Sequence, residues 1–263
     1  MSTNTHLSFF KTLLQATVAL LASTGLILPA WSQDSPADEI IEEIVVIAER
    51  LGGSIQEVPT AITAINSVMM DRQQIENTSD MQLTVPNVSY SKGNFTTSAF
   101  QIRGIGNTAV GSTADSGVSV HINDMPIESH RLYAVEFFDV ETISILRGPQ
   151  GTLFGRNATG GLLNVTTKKP TNDFNASFEA ELGDYNSQRF KGHINVPMGD
   201  TFSARLAGIM TQRDGYTTNL FTGNDIDGRD MYSLRGTLRF QPSDRTTIDL
   251  MVNYMKDDSD RSR

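Results

Sequence analysis

The sequence predicts a compact α+β domain followed by the start of an antiparallel transmembrane β-barrel. Three features predict it: a short apolar leader, mixed strand and helix patterns after residue 53, and alternation of apolar and polar residues from Phe174 onward. Strands of about ten residues that are apolar on one face only are typical of outer-membrane barrels. We therefore divide the chain into residues 1–32, 33–53, 54–170 and 171–263.

Residues 1–32 have the pattern of a secretory signal peptide. Lys11 precedes a nearly uncharged apolar run over 13–28, and Ala30 and Ser32 supply the small residues that signal peptidase requires. The run is shorter than the roughly 20 residues of a spanning helix, and an uncleaved anchor helix is the alternative. Cleavage after Ser32 leaves an exported chain that starts with a flexible acidic segment over 33–53.

Composition excludes several classes of function. The formal net charge is -9, so the chain repels polyanions and we expect no nucleic acid partner. The absence of cysteine excludes a disulfide framework and thiolate metal ligands. No Ser-His-Asp order, paired-carboxylate signature or HExxH motif occurs, so we expect no enzyme, no catalytic residue, no cofactor and no metal site.

A short β-prone island interrupts the flexible segment. It consists of Ile44, Val45, Val46, Ile47 and Ala48, with charged residues on both sides and two glycines after it. A strand this short cannot bury both of its faces. It either joins a sheet edge that another protein supplies or pairs within its own domain, and the residues alone leave both readings open.

The globular region alternates strand and helix patterns. The predicted strands cover 60–65, 101–105, 118–122, 141–146 and 162–167. Ser67 is the predicted N-cap of a helix that ends at Ile75, and Ser79 or Asp80 starts a second helix that ends at Val85.

The stretch RGPQGTLFGRNATGG over 147–161 joins two of these strands. No Lys-Ser/Thr pair follows its glycines, so the phosphate-binding loop pattern fails. Gly148 and Gly151 are instead predicted to shape a tight turn, because glycine adopts backbone angles that are closed to other residues.

The strand region has the organisation of a barrel. Alternating strands are predicted over 174–182, 190–196, 202–210, 232–240 and 248–254, with tight turns at 196–200 and 241–245 and a long polar loop over 214–230. Phenylalanines mark the inner rim and tyrosines the outer one: Phe174, Phe202 and Phe240, then Tyr185, Tyr216, Tyr232 and Tyr254. The alternative is a soluble periplasmic binding or signalling module whose C-terminal strands form a small sheet.

Five strands cannot close a barrel, since the smallest bacterial barrels have about eight. An open sheet of this kind would expose its edges and an apolar face. We therefore expect the chain to be the N-terminal fragment of a longer protein.

Several motifs resemble those of TonB-dependent outer-membrane receptors of the siderophore-receptor type. Residues 43–48 look like the TonB box, with Ile47 where threonine is commoner. Residues 140–167 are similar to the signature that closes the plug domain of the family, and 101–104 look like its internal Arg-Gly element. The resemblance covers essentially the whole exported chain.

The resemblance implies a plug domain inside a barrel of about 22 strands in the Gram-negative outer membrane. It implies uptake of a ferric siderophore or similar ligand by a monomeric receptor that is surrounded by outer-membrane lipid. It also implies that TonB, with ExbB and ExbD, supplies the energy for uptake. The implied sites are TonB binding at Ile44, Val45, Val46, Ile47 and Ala48; plug–barrel contact at Arg103, Gly104, Arg147, Gly148 and Pro149; and ligand binding at Gly93, Asn94, Asn107, Thr108, Ser112 and Thr113.

Overall fold

The structure is a computed structural model that describes residues 45–46, 53–54, 61–92, 98–106, 116–129, 133 and 136–259. All of them lie in the compact unit formed by residues 43–263. The predicted signal peptide and most of the flexible segment lie outside the described residues. Within the described ranges, none of the helices has the length and apolar character needed to cross a membrane.

The predicted plug region contains short strands and three short helices. In chain order they are β1 (Val45–Val46), β2 (Gly53–Ser54), β3 (Ala61–Asn66), α1 (Ser67–Gln73), α2 (Met81–Thr84), β4 (Val88–Lys92), β5 (Ser98–Ile102), β6 (Ile105–Gly106), β7 (Val118–Ile122), β8 (Met125–Pro126), β9 (Val140–Arg147), α3 (Gly151–Phe154) and β10 (Gly161–Thr167). The central sheet has the order β3-β9-β10-β7-β8, and β4, β5 and β6 form a second sheet. These elements agree with the predicted α+β class.

Strand β9 lies in the interior of the plug. Ile143, Ile145 and Leu146 are almost fully buried, and they point to both faces of the sheet. Ile143 and Ile145 pack into the main core with Ile65 and Phe100, while Leu146 packs on the other face with Phe154. A strand that is covered on both faces is nearly continuously apolar, as the sequence over 143–146 is.

Helix α1 begins one residue earlier than the sequence predicted. Its N-cap is Asn66, not Ser67, because the Asn66 side chain accepts a hydrogen bond of 2.9 Å from the Met69 N–H. Asn66 has extended backbone angles, which suit an N-cap, and its amide oxygen satisfies an N–H of the first turn that has no partner within the helix.

The predicted strand over 101–105 is in fact a hairpin. Ile102 pairs with Ile105, and the two residues between them, Arg103 and Gly104, have φ values of 53° and 77°. Positive φ at both central positions is the geometry of a type I′ turn, which matches the twist of the flanking strands. The Arg-Gly element therefore reverses the chain rather than extending a strand.

The glycine-rich stretch after β9 is not the tight turn that the sequence predicted. The chain makes the helical turn α3 before it returns as β10. Gly148 and Gly161 have positive φ values of 116° and 150°, whereas Gly151 does not. Gly155, which ends α3, also has a positive φ of 79°, so Gly148, Gly155 and Gly161 are the glycines of this stretch that the backbone requires.

Five long strands form a second antiparallel sheet, which we name the barrel sheet. Its strands are β11 (Asn175–Gly183), β12 (Ser187–Pro197), β13 (Phe202–Arg213), β16 (Arg229–Ser243) and β17 (Thr246–Asp257), and the long loop between β13 and β16 holds the small hairpin β14 (Thr217–Thr218) and β15 (Asp225–Ile226). Each strand pairs with its neighbours along the chain. The connection at 184–186 is short although it lies on the same side as the long loop, so the predicted alternation of loop lengths is incomplete.

The two faces of the barrel sheet differ as the alternation predicts. Arg205, Ala207 and Thr211 are buried on the face toward the plug, whereas Leu206 on the same strand is 46% exposed and Val252 on β17 is 65% exposed. A soluble sheet would cover such side chains with a core, while a barrel turns them to lipid.

Aromatic pairs lie at both ends of this apolar face. The rings of Phe202 and Phe240 stack with their centroids 4.5 Å apart, and those of Tyr232 and Tyr254 lie 5.9 Å apart. Tyr232 and Phe240 belong to the same strand, eight residues apart, which corresponds to about 27 Å of strand. This spacing matches the apolar band of about 25 Å on outer-membrane barrels.

Gly161→Ala is expected to destabilise the plug by about 2 kcal/mol or more, because the new Cβ adds strain at positive φ and overlaps its surroundings. That Cβ would lie 2.3 Å from the Leu146 carbonyl oxygen and 2.7 Å from Ile102 Cδ1. Gly151→Ala is the matched control, since its Cβ meets no atom within 4 Å. Trypsin resistance of the plug in outer-membrane vesicles measures the difference, and equal resistance of the two variants would contradict the expectation.

Candidate functional site

The plug touches the barrel sheet mainly through the segment just before β9. Side chains or backbone groups of Glu136, Phe138 and Asp139 contact arginines that reach inward from β12, β13 and β16. Phe137 points the other way and packs against the plug core. We name Glu136, Phe138 and Asp139, together with Arg189, Arg205, Arg229 and Arg235, the clasp.

Glu136 is a buried carboxylate with three partners on the barrel sheet. Its Oε2 accepts hydrogen bonds from Arg189 Nε at 3.1 Å and from Thr211 Oγ1 at 2.9 Å. Its Oε1 accepts from Arg229 Nη1 at 3.0 Å. A buried charge needs such compensation, because removal from water is costly unless the charge is paired and hydrogen-bonded.

Arg189 also joins Glu136 to two further carboxylates. Its Nη1 donates to Glu76 Oε1 at 2.7 Å and to Glu181 Oε1 at 2.9 Å. Glu76 belongs to the plug and Glu181 to β11, so a single guanidinium links two parts of the plug to the first strand of the barrel sheet.

Burial raises the pKa of the Glu76 carboxyl above its ordinary range. The Arg189 guanidinium opposes this rise, while the carboxylates of Glu181 and Glu136 add to it. A raised pKa in the folded chain means that the Glu76 contribution to stability is greatest below the ordinary pKa and is lost as the pH rises through the raised one.

Asp139 and Arg205 form a two-point ion pair. Arg205 Nε donates to Asp139 Oδ2 at 2.8 Å, and Arg205 Nη2 donates to Oδ1 at 2.5 Å. The Arg205 side chain is only 6% exposed and the Asp139 side chain only 4%. Parallel hydrogen bonds of this kind fix the orientation of both groups as well as their distance.

Phe138 completes the clasp with an apolar contact. It packs with Ala207 and Ile209 of β13, and the Arg235 guanidinium carbon lies 4.4 Å from the centroid of its ring. Arg235 Nη1 also donates a hydrogen bond of 3.2 Å to the Phe138 carbonyl oxygen. The ring face and the carbonyl together stabilise the buried cation.

A second contact lies at the turn between β7 and β8. Asn123 Nδ2 approaches Met251 Sδ of β17 at 3.3 Å, and Asn123 Oδ1 accepts from the Thr167 N–H at 2.9 Å. Asn123 and Asp124 both have positive φ, as the predicted turn requires.

The predicted plug–barrel contact residues cluster, but at another place. A Cβ built on Gly148 would lie 4.0 Å from Arg103 Nη1, so the Arg103 side chain reaches from the hairpin turn toward Gly148. Arg147 is half-buried at the end of β9, and its Nε has no hydrogen-bond partner among the described residues. Pairing of these arginines with barrel carboxylates stays a prediction. In the clasp the charges are arranged the other way, with carboxylates on the plug and arginines on the barrel sheet.

The remaining predicted site residues are mostly outside the described ranges. Gly93, Asn94, Asn107, Thr108, Ser112 and Thr113 lie there, as do Ile44, Ile47 and Ala48. Val45 and Val46 form β1, which pairs with Gly53 and Ser54 of the same chain.

The clasp residues were missed by the sequence reasoning, although a signal for them exists. Arg189, Arg205 and Arg235 occupy the polar face of three predicted strands, and a barrel turns that face toward its lumen. Arginines that line a plugged lumen require anionic partners on the plug. Glu136 and Asp139, just before the signature over 140–167, were the nearest candidates in the sequence.

A cavity of about 560 Å³ lies beside the clasp, between α1 and strands β11 and β12. Its lining includes Met70 of α1, Gln74 just after α1, and Lys191 and His193 of β12. The clasp residues Phe138, Asp139 and Arg189 line it as well. In the described part of the chain, no group of three or more histidine, aspartate or glutamate side chains is arranged to hold a metal ion.

Comparison with known proteins agrees with this architecture. Residues 54–162 match the family model described as TonB-dependent Receptor Plug Domain. The pesticin receptor of Yersinia pestis is 25% identical over 230 residues, covering 86% of this chain and 34% of that protein. The iron-regulated outer membrane virulence protein of Vibrio cholerae is 28% identical over 211 residues, covering 75% of this chain and 32% of that protein.

Among solved structures, the ferric yersiniabactin uptake receptor of Yersinia pestis is similar in fold. It superposes with a TM-score of 0.68 at 22% identity, covering 74% of this chain and 31% of that one. The chain thus spans about a third of the length of the proteins that it matches.

The fold and the clasp define a plug domain seated on the inner face of the first strands of an outer-membrane barrel. Residues 54–162 are a plug domain of the TonB-dependent receptor family, as the match over these residues shows, and the chain as a whole is similar to outer-membrane receptors. It is an outer-membrane chain, and the predicted fold class and family are confirmed.

Asp139→Asn is expected to destabilise the docked plug by about 3 kcal/mol, because it leaves Arg205 buried without its counter-charge. Glu128→Gln is the matched control, since the Glu128–Arg156 pair on the plug has side chains that are 72% and 69% exposed. It should change stability by less than about 0.5 kcal/mol.

The chain has no cysteine, so a single label at Val68→Cys, which is 54% exposed on α1, reports plug unfolding in urea. A midpoint shift in Asp139→Asn no larger than that of the control would show that the buried pair does not hold the plug.

Proposed function

We propose that this chain is part of an outer-membrane transporter that takes up a scarce ligand of the ferric siderophore class. One observation carries the proposal: a plug domain is bound through buried ion pairs to the inner face of a barrel-type sheet. A domain held there obstructs free diffusion through the lumen, so passage requires a change in the plug. The relatives named for pesticin, iron regulation and ferric yersiniabactin support this ligand class.

Energy for this change must come from another protein, because the outer membrane holds no nucleotide triphosphate. We infer that TonB, working with ExbB and ExbD, binds Ile44, Val45, Val46, Ile47 and Ala48 as an added strand. Strand addition depends on backbone hydrogen bonds and β-propensity, which this island has. In the structure β1 pairs with Gly53 and Ser54 of the same chain, so TonB would have to replace this two-residue pairing.

The domain assignment belongs to the same proposal. The signal peptide covers 1–32, the segment with the TonB box 33–53, the plug 54–170, and the barrel strands 171–263. We propose a monomeric receptor in contact with outer-membrane lipid, without a cofactor, a catalytic residue or a nucleic acid partner. The exposed apolar face of the barrel sheet supports the lipid contact.

Two further groups of residues have proposed roles. Gly93, Asn94, Asn107, Thr108, Ser112 and Thr113 belong to plug loops that would contact the ligand, because loops carried by a rigid scaffold commonly form binding sites. Arg103 and Arg147 would contact barrel carboxylates beyond the five strands of the barrel sheet. The Arg103 guanidinium lies near Gly148, the residue after Arg147, which supports a shared contact.

The rival function is a soluble periplasmic binding or signalling module. It would require the outward side chains of the barrel sheet to pack into a dry core. Among the described residues, Phe178, Leu250 and Val252 are 72%, 63% and 65% exposed, which favours lipid on that face over the rival.

Val46→Pro is expected to abolish uptake of a radiolabelled ferric siderophore by the receptor that contains this chain, because proline has no N–H for strand pairing. Val46→Ile keeps the N–H and the β-propensity, so it should take up the ligand like the unaltered receptor. Ligand binding to intact cells should be equal in both variants. Uptake by Val46→Pro at the unaltered rate would refute the TonB role.

The ligand is identified by a separate measurement. Cells that carry the unaltered receptor are grown on each of a panel of ferric siderophores as the iron source.

A further inference from the structure

We propose that a groove around Gly236, on the outward face of the barrel sheet, binds an acyl chain of a phospholipid from the inner leaflet of the outer membrane. The inference rests on the lipid contact in the proposed function. It deepens that contact, because it assigns one class of lipid and one leaflet to particular residues. Two observations carry it: the shape of the groove, and a strand glycine that neither a backbone angle nor a contact among the described residues requires.

The groove is an apolar depression of about 380 Å³ on the face that the barrel sheet turns away from the plug. Gly236 of β16 belongs to its lining, and Leu206, Leu238 and Val252 surround this glycine, each at least 39% exposed. In the register of the sheet, Leu206 and Val252 lie directly opposite Gly236 on the two neighbouring strands. The absence of a side chain at position 236 therefore leaves a gap between exposed aliphatic side chains.

The geometry of the sheet does not require a glycine at position 236. Gly236 does not have a positive φ, and a Cβ built on it would meet only Leu206 Cδ1, at 4.0 Å. Its pairing is in register with both neighbouring strands, so it forms no bulge. Gly192 on the same face differs, because its Cβ would lie 2.8 Å from the Ser177 carbonyl oxygen. A glycine weakens a strand interior and often marks a place where a ligand approaches closely.

The depth of the groove selects the leaflet. Gly236 is four residues from Tyr232 and four from Phe240, about 13 Å of strand from either aromatic rim. From this middle level the lining continues through Leu238 and Leu250 toward Phe240. The Phe240 rim lies at the tight turns, which belong to the periplasmic side of outer-membrane barrels. Phospholipids form the periplasmic leaflet of this membrane, so the groove lies at the depth of their acyl chains.

The groove suits a single acyl chain better than a second protein. Leu206 and Val252 flank Gly236 from strands that are about 10 Å apart, and Leu238 follows on the same strand. Close approach of two protein backbones in a membrane requires small residues around the contact, whereas these neighbours are large and exposed. An acyl chain has no side chains, so it can enter the gap and make the van der Waals contacts that an empty groove would lose.

Lipid retention tests the proposal in the receptor that contains this chain. The receptor is purified in a mild detergent without added lipid, and native mass spectrometry measures the fraction that still carries phospholipid. Gly236→Leu places a side chain in the groove, whereas the control Ala180→Leu enlarges an exposed residue of β11 outside it. We expect Gly236→Leu to lower the phospholipid-bound fraction severalfold, and Ala180→Leu to leave it unchanged.

Gly236→Ala separates lipid binding from the shape of the sheet. It removes the strand glycine but adds only a methyl group, which meets no atom closer than 4.0 Å, so we expect it to retain phospholipid like the unaltered receptor. Equal loss in Gly236→Ala and Gly236→Leu would overturn the proposal, because the glycine would then shape the sheet. Equal retention in all variants would overturn it too. The same holds for a retained lipopolysaccharide, or for a receptor dimer, that Gly236→Leu removes.

Photocrosslinking separates this inference from the lipid contact as a whole. The unaltered receptor is reconstituted in vesicles of phosphatidylethanolamine that carries a diazirine near the end of one acyl chain. We expect crosslinks to concentrate on residues 204–206, 236–238 and 250–252, severalfold above those at Phe178, which is 72% exposed on β11 and outside the groove. Equal crosslinking at all outward residues overturns the groove and leaves the lipid contact intact. Absence of crosslinks from Phe178 and the groove alike overturns the lipid contact and this inference with it.

Discussion

Buried arginines on the inner face of the barrel sheet set the main physical constraint on this structure. A sheet that turns its apolar residues to lipid must turn its polar residues inward, and three of its strands carry an arginine there. These guanidinium groups cannot remain buried without hydrogen-bond acceptors. The plug supplies carboxylates at Glu136 and Asp139 and a carbonyl with an aromatic ring at Phe138. The fold of the barrel sheet and the placement of the plug therefore depend on each other.

This dependence explains why the segment before β9 is extended and charged. Its residues must alternate between the barrel sheet and the plug core, and Phe137 packs inward while Glu136 and Phe138 face the strands. Strand β9 follows at once and lies between β3 and β10 in the plug sheet. The clasp is therefore continuous with a strand whose residues 143–146 are buried.

Much of the fold could be predicted from the sequence because its signals are local. Period-two alternation located the strands of the barrel sheet and the face that each strand exposes, and the aromatic rims followed from the same pattern. Local geometry also accounts for the errors. A strand and a two-residue hairpin look alike over 101–106 until pairing shows Ile102 opposite Ile105, and Asn66 is the N-cap because its side chain, not that of Ser67, reaches the Met69 N–H.

By itself, the sequence determined the fold class, the apolar and polar faces of the barrel strands, and the motifs of the family. Each of these depends on residues that are near one another in the chain. Only the tertiary structure decided which charges meet. Glu136 and Arg189 are 53 residues apart, and Asp139 and Arg205 are 66 apart, so no periodicity relates them. A buried ion pair requires contact at hydrogen-bond distance. Which arginine pairs with which carboxylate therefore depends on the register of three strands and on the position of the plug against them.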